Sequence, residues 1–488
     1  MGTVRKLQVG LLMGAMLVGP ALSAQGDVTG QKIYPERLQE DVEAFRRALH
    51  AAHADPYRYV TKAGLDRVFR QVKDSVDRPM TAFELLRELR PALQAVADAH
   101  TYVEMPDAYL EALDHSLPVI PIAVRLVRGE IYVQEELKGF RSIPPGSRIV
   151  SINGLSGREV LDRLFAFTVG DGSDSTYRYR TVERNFPGMY RTWIEAARVF
   201  KVAFVDPSGS IGEKTIFPLS GDQIANTMPV QEQKVGPWSS AYYPETHTTW
   251  CTLNTFDPRI LEEADIKPER FIDDVRKDLR KNGSRVLVID VRDAGGAELA
   301  LAETVFALIA QHPFRVVQNM QVRSTDRPDG FSYAEPADAF YATVHASYLP
   351  GENGVYDLRP DDPRLEKLEP SAKAFDGKVY VVCNGLTRES AAAFVMMAKR
   401  SGRARVVGEE TGTGCVSSCG GRELVITGAN SGLRLHIPLI RYVYEGSPAG
   451  PVDRGELPDH VALQQPWGLE RGTDAVRVSL LQMIQELQ

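Results

Sequence analysis

Three short segments carry the residue types that acyl-transfer chemistry needs. In VYVVCNGLTRESAAAFVMMAKRSG, an apolar run ends near Cys383, a polar turn covers Asn384 to Glu389, and Ser390 opens a run of Ala. Ala has the highest helix propensity, so Ser390 sits where a helix starts. A hydroxyl there lies beside free backbone N–H groups and the positive end of the helix dipole, which favours an alkoxide-like nucleophile. The same position equally suits a Ser that only caps its helix. In the second segment, Asp290-Val291-Arg292-Asp293-Ala294-Gly295-Gly296 follows an apolar run. Its paired glycines permit close backbone approach and expose N–H donors for an oxyanion, or simply make a strand-to-helix turn. The third is Asp98-Ala99-His100-Thr101. His100 is one of nine His, and an imidazole titrates near neutrality, as a general base must.

The elements that must position these groups are legible in outline. Apolar residues recur at three and four in FRRALHAAHA and AFELLRELRPALQAV, which predicts helices, with Pro91 interrupting or starting one. IPIAVRLV and IYVQEEL read as strands around an Arg-Gly-Glu turn, and RIVSI as a strand before the Asn153-Gly154 turn. A β module of this kind suits an extended peptide, or is purely structural. From about 283 the pattern alternates. SRVLVIDVR is continuously apolar, as in a strand buried on both faces, and VRSTD, KVYVVCN and ARVVGEE are further strands. This predicts αβ layering around a central sheet.

Composition sets the frame. The 488 residues are 43% hydrophobic and 25% charged, as in globular chains of two or three folded units. A net charge of −7 argues against phosphate-backbone binding, and nothing points to nucleic acid. Arg5 and Lys6 followed by an apolar run from Val9 to Leu22 read as a secretion signal over 1–24. The expected location is exported, periplasmic or extracellular, with no membrane span after cleavage. Of the four cysteines, Cys415 and Cys419 can pair across CVSSC, and four free thiols are the alternative. Neither a metal nor a cofactor motif is present, and no interface pattern reveals an oligomeric state.

Taken in order, the motifs resemble the C-terminal processing (tail-specific) peptidases of family S41, which include the tricorn-type core. Asp98 to Thr101 resembles D-x-H-[ST]; Pro145 to Gly154 resembles the G-D-x-I-x-x-I-N-G stretch of a PDZ-like domain. Asp290 to Gly296 resembles D-x-R-x-N-G-G, with Ala294 for the Asn, and Thr387 to Ala392 resembles T-A-S-A-x-E, with Arg388-Glu389 before the Ser and Ala393 for the acid. Gly402 to Gly412 and Arg454 to Asp459 resemble G-R-A…G-E-x-T-x-G and R-G-V-x-P-D.

The resemblance implies a ClpP/crotonase-like catalytic core over 211–488, an N-terminal helical domain over 25–110 and a PDZ-like module over 111–210. It implies a serine-type endopeptidase or C-terminal processing peptidase acting on unfolded or extended protein substrates. A non-catalytic peptide- or ligand-binding protein on the same scaffold is the alternative. Ser390 would be the nucleophile, with Ala391 N–H and the Gly295–Gly296 backbone as oxyanion donors. One branch of the family uses a Lys in F-G-K-G; here the stretch is Thr411-Gly412-Thr413-Gly414-Cys415. The His branch is therefore implied, with His100 as base and Asp453, or alternatively Glu445, as the acid.

Overall fold

A computed structural model describes residues 30–137, 141–227, 236–333, 338–446, 448 and 450–486. The predicted signal segment, 1–24, lies outside the described residues. Among those described, no helix is long and apolar enough to cross a membrane.

Three helices open the described chain, Pro35–Ala52, Lys62–Ser75 and Ala82–Val96. The third begins on a capping box, in which Thr81 accepts from Glu84 N–H while the Glu84 carboxylate accepts from Thr81 N–H. It runs straight through Pro91 instead of breaking there. It stops at Ala97, whose φ of 52° turns the chain into Asp98. The strand Tyr102–Glu104 then pairs antiparallel with Arg434–Tyr444, Tyr102 opposite His436. The helices share one core with Leu424, Ile426, Leu435, Ile437 and Leu439 of the late hairpin. Buried Asp41 pins the two together by accepting from Ser431 N–H (2.7 Å) and Asn430 N–H (3.2 Å). Residues more than 300 positions apart thus complete one another, which carries His100 to the C-terminal half.

The β module is a sheet of Ile122–Val127, Glu130–Glu136, Arg148–Ile152, Phe200–Val205 and Ile211–Ile216, with Leu155–Ser156 paired to the third strand. Its two tight turns are Arg128-Gly129 and Asn153-Gly154. All four residues have positive φ, the backbone that two-residue hairpins demand. The helices Gly157–Phe165 and Thr176–Trp193 close its core around Phe186 and Tyr190.

The ClpP/crotonase-like core is a correction. Strand–helix alternation from 283 suggested one central sheet, but the chain builds two six-stranded sheets there. One is ordered His460–Val461, Arg405–Gly408, Lys378–Cys383, Val286–Asp290, Thr248–Leu253 and Trp238–Tyr243, parallel except for the last strand. Leu287 and Ile289 face one core while Val286 and Val288 face another, so this strand is buried on both sides, as its sequence requires. The other sheet is antiparallel and gathers Tyr348–Pro350, Tyr356–Leu358, Val317–Val322, Arg434–Tyr444, Ser417–Thr427 and Tyr102–Glu104. The strand near VRSTD is Val317–Val322, ending before Arg323. Apolar runs of similar look go to either sheet, and Val317, Met320 and Val322 of the antiparallel sheet share a core with Leu287 and Ile289 of the parallel one.

Asp41→Ala leaves the buried Ser431 N–H and the partly buried Asn430 N–H unpaired. The expected cost is about 2–3 kcal/mol in denaturant unfolding, with faster amide exchange across 417–444.

Candidate active site

The His100 segment is held by buried hydrogen bonds. His53 Nδ1 accepts from Asp55 N–H at 3.0 Å, so in its neutral form His53 carries the proton on Nε2. That nitrogen lies 2.9 Å from Asp98 Oδ2 and 2.8 Å from Thr101 Oγ1. Thr101 also donates to Asp98 (2.8 Å), and His100 N–H donates to Asp98 Oδ1 (3.1 Å). The His100 ring presents Nδ1 to the same carboxylate at 3.6 Å, an ion-pair distance. Asp171 locks the segment from outside, accepting from Ala99 N–H (2.9 Å) and Gly414 N–H (2.8 Å).

The turn before Ser390 is stitched to the Gly-rich loop. Asn384 exchanges hydrogen bonds with Asp293, Thr387 Oγ1 donates to Val291 O, and Arg388 N–H donates to Ala294 O. Gly296 has a φ of 136°, and a Cβ there would lie 2.2 Å from the Phe256 carbonyl carbon, so only glycine fits. The helix Glu389–Arg400 starts beside it.

At this junction His100 meets Glu389, not Ser390. His100 Nε2 lies 3.0 Å from Glu389 Oε1, and Glu389 Oε2 accepts from Gly296 N–H at 2.8 Å. Arg388 Nη2 is also 3.0 Å from His100 Nε2, its guanidinium lying over the Tyr177 ring. Ser390 is 1% exposed, its Oγ has no hydrogen-bond partner, and no bond joins it to His100. Its N–H donates to Gly296 O. Ala391 N–H, expected as an oxyanion donor, is spent on Arg388 O. Gly296 N–H does point into the site; Gly295 contributes its carbonyl to Phe256 N–H.

Neither expected acid reaches His100. The Asp453 side chain is exposed, and only its carbonyl is used, by Ser173. Glu445 pairs with Arg315 at 2.9 Å. Asp98 stands beside His100 instead. The D-x-H motif carried that acid two residues from its His, and HAAHADP carried His53; spacing alone gave no reason to join them. The late motif braces the site from behind. Arg454 and Gly455 N–H hold Glu410, and Glu456 N–H donates to Thr411 Oγ1. That loop continues to Thr413, whose Oγ1 accepts from Glu389 N–H at 2.8 Å.

All four cysteines are free and buried, so Cys415 and Cys419 are not joined. Among the described residues, two trios have metal-ligand spacing, His53–Asp98–Cys419 and Asp98–His100–Asp171. Both share Asp98, whose oxygens already take three hydrogen bonds.

Charge follows from these contacts. Burial acts to lower His100, but the Asp98 and Glu389 carboxylates outweigh it and raise the imidazole to about 10. Burial acts to raise Glu389, but His100 and Arg388 bring it down to about 2. Burial likewise opposes ionisation of Asp98, yet its two His neighbours hold it well below the usual carboxylate range. At neutral pH the pair is imidazolium and carboxylate, and His100 already holds its proton.

Comparison with known proteins agrees with this architecture. Residues 252–446 match the model of Peptidase family S41. No curated protein matches the chain by sequence. By shape the chain is similar to mature CPAF, at 13% identity over 93% of this chain and 97% of that one, with a TM-score of 0.65. It is likewise similar to mature CPAF complexed with lactacystin, at 12% identity over 93% and 98%, with a TM-score of 0.66. At this identity the likeness is one of fold. It spans module, helices and both sheets together, which again replaces the ClpP/crotonase-like core with the fold of this family. The segment that matches the Peptidase family S41 model holds Gly296, Glu389 and Ser390. The chain's class is the serine-type peptidases.

The linkage has a definite sign. A His raised to about 10 stabilises the fold fully below its ordinary 6.5, and that contribution is lost as pH rises through about 10. Glu389→Gln removes one partner, so its melting-temperature deficit is expected to be largest below pH 6.5 and to shrink toward pH 10. Asp98→Asn is expected to lower the His100 titration by at least about one unit, read by NMR of the ring.

Proposed function

We propose that this serine-type peptidase hydrolyses peptide bonds of extended or unfolded segments in exported proteins, with Ser390 as nucleophile and His100 as base. The observation that carries the reading is the convergence of His100 Nε2 and Gly296 N–H on the start of the Glu389–Arg400 helix. A base and an oxyanion donor aimed at one point are the parts that acyl transfer needs. Ser390 adjoins that point in sequence, and its hydroxyl is uncommitted. Asp98 takes the orienting part that the resemblance assigned to Asp453.

In the reaction, neutral His100 accepts the Ser390 proton as Oγ attacks the carbonyl carbon. Gly296 N–H holds the resulting oxyanion, and Arg388 adds positive charge beside it. Imidazolium His100, oriented by Asp98, returns the proton to the leaving amine; water then resolves the acyl-enzyme by the same steps in reverse. The step requires Glu389 to withdraw from Nε2. The β module, with a PDZ-like helix-and-sheet arrangement, supports recruitment of an extended chain end. The apolar segment from Val9 to Leu22 supports export to a periplasmic or extracellular space.

Binding without cleavage is the second reading, favoured by the His100–Glu389 contact. A fluorophosphonate probe separates the two. Labelling at Ser390 is expected to rise with pH as His100 loses its proton toward about 10, and to vanish in Ser390→Ala and His100→Ala. A folded chain that stays unlabelled from pH 6 to 10, with no turnover of unfolded protein, makes the binding reading the correct one.

A further inference from the structure

Residue 389 has the backbone and the contacts that a nucleophile takes. It follows the strand Lys378–Cys383 and opens the helix Glu389–Arg400 with a φ of 52°. For a residue with a Cβ this costs on the order of 1–2 kcal/mol, and such strain clusters where a side chain must be presented to a site. Nucleophiles on strand-to-helix turns are presented in this way. Glu389 does not use the position to cap the helix; its side chain turns to His100 and Gly296.

Each carboxylate oxygen takes one of the two partners that the reaction needs. Oε1 is on the base, where a nucleophile's hydroxyl would donate, and Oε2 is on the Gly296 N–H, where an oxyanion would lie. A cleaved peptide's new C-terminal carboxylate has the same shape and charge. Arg388, 3.9 Å from Oε1, adds the positive field that such an anion prefers. Ser390, one residue further into the helix, makes neither contact.

We propose that Glu389 occupies the seat where nucleophile and acyl group meet, so that the resting site is filled by the chain's own carboxylate as a stand-in for a product carboxylate. This rests on the acyl-transfer reading of the site but assigns the seat to position 389. Opening the site means displacing that side chain, and a peptide ending in a free carboxylate is the ligand class that competes for the same partners.

The test is fluorophosphonate labelling of the full mature chain at pH 7 with Glu389→Ser, Glu389→Ala and Glu389→Ser/His100→Ala, folding checked by circular dichroism. In a labelled chain the hydroxyl oxygen bonds to phosphorus, fluoride leaves and His100 takes the proton. Glu389→Ser is expected to label at least tenfold faster than wild type, with the adduct mapped to position 389 and lost with His100→Ala. A folded Glu389→Ser chain that gains no adduct there overturns the proposal. So does wild-type labelling at Ser390 that Glu389→Ala leaves unchanged, a result that keeps Ser390 as nucleophile. Labelling at position 389 with none at Ser390 in wild type or Glu389→Ala upholds the seat and removes Ser390 from the reaction.

Discussion

A buried carboxylate without partners is unstable in a protein interior, and Asp98 is a buried carboxylate with partners both beside it in sequence and at the end of the first helix. Its compensation comes from His53, Thr101 and both the ring and N–H of His100. Satisfying that charge fixes the orientation of the His100 ring, and the ring's other nitrogen then faces the helix start at 389. The docking of the N-terminal helices serves the same end. The strand Tyr102–Glu104 on Arg434–Tyr444, together with Asp171 bridging Ala99 and Gly414, holds the His100 segment in place.

The site that results is electrostatically settled. Imidazolium, carboxylate and guanidinium lie within hydrogen-bonding or ion-pair reach, and the carboxylate holds both cations in their charged forms as they hold it in its own. Serine hydrolysis needs the opposite distribution, a neutral imidazole and a free oxyanion donor. The family fold and the local chemistry therefore bear on different questions. The family match over 252–446 bears on the reaction class, and the residue at the head of one helix sets what His100 and the Gly296 N–H hold.

Much of the site was legible, in uneven ways. His100 and the Gly-rich loop stood out because a rare His beside Asp, and paired glycines after an apolar strand, have few purposes. Glu389 was visible as a departure beside Ser390 but gave no sign of its contacts. A one-residue offset between helix start and motif cannot be resolved by pattern alone, since either residue can lead a helix. The acid went to Asp453 because the family pattern directs attention to the late motif. That motif instead buttresses the loop that holds Glu389 N–H, a role no spacing reveals.

Sequence by itself determined the local elements: hairpin turns at Arg128-Gly129 and Asn153-Gly154, the doubly buried strand before Asp290, the capped helix before His100. These follow from backbone preference and the period of apolar residues, which act over a few positions. The tertiary structure decided which sheet each strand joined, which acid served His100 and which side chain filled the site. Those depend on meetings between segments up to about 390 positions apart, as Asp41 and Ser431 show, and burial fixes such meetings only once the whole chain has closed.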